Sequence, residues 1–151
     1  MESEPSNAAS DRIHEVLSLW HDREQMVAGW DEWHTEDFVR EDRRRLVSLP
    51  PAGRREHLDL QLLWFELGDG RPMFDASVLA VRGEWLALVR ASTQYSDGQG
   101  REALSVVVFD RSVERSSRHV HFDLDDLDAA LAELDRLNAE FEAEETRSGE
   151  G

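Results

Sequence analysis

His119 and His121, two imidazoles separated by Val120 on a strand-like run, are of a type and spacing that can do chemistry. Strand side chains alternate, so both rings share a sheet face, where they can hold or pass a proton near neutral pH. Two imidazoles do not complete a metal site, and no cluster in the chain has the spacing of a metal signature, so no metal and no cofactor are expected. Asp42 is the first choice for a general base. The run Val39 to Val47 alternates as a strand, with Arg40, Asp42 and Arg44 on one face and Glu41, Arg43 and Arg45 on the other. A carboxylate turned into an apolar interior rises toward neutrality and can serve as a general base, with a histidine orienting or protonating the ligand. The competing reading pairs Asp42 with a neighbouring arginine and makes it an anchor of the sheet.

Arg44 shares the face of Asp42 and is a candidate ligand contact. Trp64, Trp85 and Tyr95 are large rings that either fill a core or stack on a flat ligand. His14, His21, His34 and His57 fall on predicted helices among charged neighbours and read as solvent-exposed. None of these residues forms a known catalytic signature.

The elements that must position them follow from periodicity. Ile13, Val16, Leu17, Trp20 and Val27 predict a helix from about Asp11 that ends at Gly29, and Trp30, Trp33 and Phe38 predict a short second helix. After the strand Val39 to Val47, Leu49-Pro50-Pro51-Ala52-Gly53 is a turn, and Arg54 to Leu67 is helical. The period then becomes two. Met73 to Val81, Trp85 to Tyr95, Arg101 to Phe109 and Val113 to Phe122 are four strands whose short connections favour an antiparallel meander. A closing helix carries Leu124, Leu127, Leu131, Leu134, Asn138 and Phe141 on one stripe, with Asp123 as its cap. Its glutamate-rich end should fray after about residue 143. The expected plan is α+β, with a curved antiparallel sheet wrapped around N-terminal helices, all helices on one face, and an amphipathic C-terminal helix. Residues 1–10 and 146–151 are expected to be disordered, around a domain over 11–145.

Composition narrows the partners. A chain of 151 residues that is 40% hydrophobic, with five tryptophans, carries a core despite 33% charged content. Its net charge of −16 repels phosphate, which argues against nucleic acid and anionic membranes as partners. There is no cysteine, so disulfides and thiolate metal sites are excluded. All 17 basic residues are arginine, a coding bias that hints at a GC-rich actinobacterial genome. The start lacks the pattern of a secretion signal, so a cytoplasmic location is expected.

The segments Asp37 to Arg44, Val78 to Arg90 and Phe122 to Leu134, in this order of elements, resemble actinobacterial members of the nuclear transport factor 2-like superfamily, often called SnoaL-like. The likeness spans about residues 11 to 143. It implies a cone-shaped domain with an apolar cavity at its open end, commonly a homodimer through the sheet's outer face, and a small apolar organic molecule as ligand. The enzymes of that superfamily include isomerases, dehydratases and polyketide cyclases; other members are non-catalytic binding or protein-interaction modules, and both readings apply here. The superfamily's known catalytic sets have no residue-by-residue match in this chain.

Overall fold

In the computed structural model, residues 4–20, 22–45, 49–67, 73–94 and 100–150 are described. The chain forms α1 (Ala8–Leu19), α2 (Arg23–Trp33), β1 (His34–Asp42), α3 (Arg54–Leu67), β2 (Met73–Arg82), β3 (Leu86–Gln94), β4 (Gly100–Asp110), β5 (Arg115–Phe122) and α4 (Leu127–Glu150). Among the described residues no helix is long and apolar enough to cross a membrane.

The first helix starts earlier than the sequence suggests. Asn7 Oδ1 accepts from the Ser10 backbone N–H at 2.9 Å while Ser10 Oγ accepts from the Asn7 N–H at 2.8 Å, a reciprocal cap. The Asn7 side-chain amide also donates to the carbonyls of Gly83 and Leu86, which fastens the start of α1 to the β2–β3 turn. Gly83 has φ +53°, a conformation that glycine adopts without strain. The expected single helix to Gly29 is two helices. Asp22 accepts from the Glu24 N–H and starts α2 afresh, and Gly29 lies inside α2 rather than at a stop. A Cβ at Gly29 would stand 2.5 Å from the Trp33 ring, so the glycine is there for packing.

Helix gives way to strand at His34, five residues before the predicted strand start, and Phe38 sits on β1 rather than on a helix. The sheet order is β1-β5-β4-β3-β2. The four strands β2 to β5 form the expected antiparallel meander, but β1 joins β5 in parallel, so the curved sheet is mixed. The register sets Arg40 beside His119 and Asp42 beside His121.

The helices occupy both faces of the sheet, not one. On the inner face, α1 and the α2–α3 pair pack over Ala76, Val78, Ala87, Val89, Val107 and Phe109 together with a tryptophan-rich cluster. On the outer face, α4 lays Ala130, Leu134 and Leu137 on Leu86, Leu88, Leu104, Val106, Val120 and Phe122. Leu131, Leu134 and Phe141 of the expected stripe pack on this core, but Leu124 and Leu127 are 41% exposed and Asn138 is half-buried beside Glu142, their places being taken by Ala130 and Leu137. Asp123 does not cap α4. Its carboxylate accepts from the Arg45 N–H, and α4 begins a turn later. Its far end runs to Glu150, with an Arg111–Glu145 ion pair and a Thr146-to-Glu142 hydrogen bond along the last turns. Glu133, buried on α4, pairs with Arg43, just past the end of β1, and with Arg136. A dimer through the outer face, as the resemblance implies, would require α4 to leave it.

Candidate functional site

Alternation along β5 does point His119 and His121 to the inner face, where they line a chamber of about 170 Å³ between the sheet and α1, α2 and α3. Two further imidazoles join them. His34, the first residue of β1, is 2% exposed, and His57, on α3, is 3% exposed; both were expected in solvent. Ring centroids of His34, His57 and His119 lie 5.6–5.9 Å apart, His121 is 6.3 Å from His119, and the Phe38 ring packs within 5.3 Å of the first three. Of the other two helical histidines, His14 is exposed and His21 lies outside the described residues.

This environment holds the rings neutral. Burial brings His34 down to about 4, against a hydrogen bond from its ring to the Trp30 carbonyl at 2.9 Å that works the other way. A carbonyl only accepts, so His34 Nδ1 carries the hydrogen and Nε2 is the free acceptor. Burial, then the charge of Arg44, brings His121 to about 4, while burial and the neighbouring histidines push His57 and His119 well below the usual histidine range. Three rings do not converge on a point: among the described residues, the one group of ligand atoms close enough for an ion is Asp123, Asp125 and Asp126, which Arg45 already bridges.

Of the two readings of Asp42, the structure matches the pairing with a neighbouring arginine. Burial raises its pKa, but hydrogen bonds from the Arg44 side chain and from the N–H groups of Leu49 and Arg44, with the Arg44 charge, outweigh burial and hold it to about 2. The carboxylate turns inward yet reaches the wall of neither compartment of the cavity. A variant Asp42→Ala, which strands Arg44, should lose about 3 kcal/mol in urea unfolding, the usual cost of removing one partner of a buried pair; a loss below about 1 kcal/mol would mean that the pair is not structural.

The second compartment, about 110 Å³, shares His57, Gln61, Ala91, Thr93 and His121 with the first, and adds Arg40, Arg44 and Arg101 together with Glu102, whose carboxylate pairs with Arg90. Arg44 therefore lines the cavity, and its tip is engaged by Asp42. Trp85 does not line it. That ring packs at the β2–β3 turn against both faces of the sheet, its carbonyl accepting from the Phe109 N–H. Tyr95 and the Trp64 side chain lie outside the described residues. The aromatic walls are instead Trp20, Trp33 and Phe74, with Trp20 stacked on Trp30 at 5.5 Å. Trp20 and Trp33 stood in the sequence as apolar helix positions; their convergence depends on the break at Asp22.

A mixed sheet with a chamber between its inner face and three N-terminal helices is the architecture of the nuclear transport factor 2-like fold. Solved structures similar to this chain share it. A candidate isomerase of the SnoaL-like family from Agrobacterium tumefaciens aligns at 14% identity and a TM-score of 0.58, over 76% of this chain and 96% of that one. A nuclear transport factor 2-like protein of unknown function from Mesorhizobium loti aligns at 16% and 0.56, over 79% and 95%. The BvnE pinacolase from Penicillium brevicompactum aligns at 14% and 0.55, over 87% and 99%. At these identities the likeness is one of fold. No family model and no curated protein matches the sequence.

Proposed function

We propose that the chain binds a small, largely apolar organic molecule in the inner chamber and that His119 or His121 accepts a proton from it, in cofactor-independent chemistry of the isomerase, dehydratase or cyclase type. The observation that carries this reading is the wall of neutral imidazoles facing an apolar chamber. An unprotonated ring accepts a hydrogen bond at neutral pH, and a low-dielectric wall strengthens its contact with a polarised C–H or O–H group; burial also makes the ring a weaker base, so proton transfer to it requires negative charge on the bound ligand to bring its pKa back toward neutrality. Asp42, held ionised and covered by Arg44, takes a structural part, so the base is a histidine.

A ligand that binds only the folded state stabilises it: at a hundredfold its Kd the gain is about 2.7 kcal/mol, or a Tm rise of about 5–10 °C for a domain of this size. A thermal-shift screen of apolar metabolites should yield such hits. Ala91→Trp, which places a ring where the two compartments meet, should abolish them while leaving a cooperative transition. Hits that survive Ala91→Trp would place binding elsewhere.

A further inference from the structure

Arg40 is a buried cation with no carboxylate paired to it among the described residues: Asp42 and Glu56 act on its charge only from a distance, and burial outweighs them. It is 5% exposed, and its backbone is pinned on both sides by hydrogen bonds with Ala52. Its guanidinium has two long contacts with neutral acceptors, His57 Nδ1 at 3.5 Å and the Pro50 carbonyl at 3.4 Å, and its Nε has no acceptor. Among the described residues, no carboxylate lies within ion-pair distance of it. The acids nearby are engaged elsewhere: Asp42 with Arg44, Glu56 with the Gly53 N–H, and Glu102 with Arg90. A buried guanidinium left in this state costs several kcal/mol, and chains retain such groups where something else supplies the charge.

Arg40 lines the compartment that opens off the apolar chamber. We infer that this compartment is an anion subsite and that the ligand is a small apolar carboxylic acid, its carboxylate against Arg40 and its hydrocarbon body in the chamber beside His119. The guanidinium fork suits a planar carboxylate, and the imidazole wall then faces the carbons nearest the acid group. This assignment rests on the chamber being the binding site.

The test is a panel of matched acids and primary amides of graded size, from butanoate to 4-phenylbutanoate, with inorganic phosphate as a small-anion control, followed by thermal shift and calorimetry. At least one acid should bind at least 30-fold more tightly than its amide, and phosphate should not shift Tm. In Arg40→Met, acid and amide should become equal, and the empty protein should be no less stable than the parent, because an uncompensated charge has been removed. Acids and amides that bind alike in the parent protein would overturn the subsite while leaving the chamber as a site. A preference that persists in Arg40→Met, or phosphate acting as well as the acids, would also overturn it. If neither acids nor amides bind, both the subsite and the chamber fail. The parent protein's acid-to-amide ratio decides the matter even if Arg40→Met does not fold.

Discussion

Stability falls steeply as the pH is lowered from 6.5 toward 4, by about 3 kcal/mol per pH unit or more. Each buried histidine with a depressed pKa takes up a proton on unfolding, because the unfolded ring titrates near 6.5 while the folded ring stays neutral until far lower. The contribution is therefore complete above pH 6.5 and is lost as the pH drops to about 4, where His34 begins to protonate in the folded state. One such proton is worth about 1.4 kcal/mol per pH unit. His34 and His57, almost without solvent contact, set a floor of two protons. His119 and His121 add to it to the extent that the chamber is dry. Asp42 contributes in a separate window, its stabilisation being lost only as the pH falls from about 4 toward 2. Urea unfolding at pH 7, 6 and 5 measures the slope directly, and His57→Phe should reduce it by about one proton. A free energy of unfolding that is flat from pH 7 to 5 would mean that the histidines are hydrated, and the neutral proton-accepting wall would go with them.

Leu134→Ala should cost about 4 kcal/mol and lower the urea midpoint accordingly. The side chain is fully buried between α4 and the outer face of the sheet, on Leu86, Leu88, Val106 and their neighbours, and a leucine removed from such a contact leaves a cavity that rigid strands do not close. The same variant reports on assembly. If the protein paired through its outer face with α4 displaced, weakening the helix would free the face, and light scattering would show more dimer with little loss of stability. A loss under about 1 kcal/mol accompanied by dimer would show that α4 does not cover the sheet in solution.

Much of the scaffold was readable because it depends on local period. The alternation from Met73 to Phe122 gave four strands within a few residues of their ends, and α3 matched over Arg54–Leu67. The misreadings came where two local patterns compete. Trp30, Trp33 and Phe38 suit a helical stripe, yet the extended backbone from His34 places Phe38 on an inward strand position among the rings. At α4, Leu124 and Leu127 continue the apolar stripe toward solvent while Ala130, Leu131, Leu134, Leu137 and Phe141 pack on the sheet; only the surface it packs on selects among these positions.

His119 and His121 share a face by the geometry of any strand, so that pairing was determined by the sequence alone; Arg44, expected on the same strand as Asp42, lies beyond its end. Their chemistry was decided by the tertiary structure. The parallel register of β1 on β5 and the docking of α3 brought His34 and Arg40 from one element and His57 from another to the wall that carries His119 and His121, and burial there made the imidazoles neutral. Arg44 turned back on Asp42 with the Leu49 N–H and made the acid strong instead of weak. A pKa answers to distances and solvent access in space, and spacing along a chain carries neither.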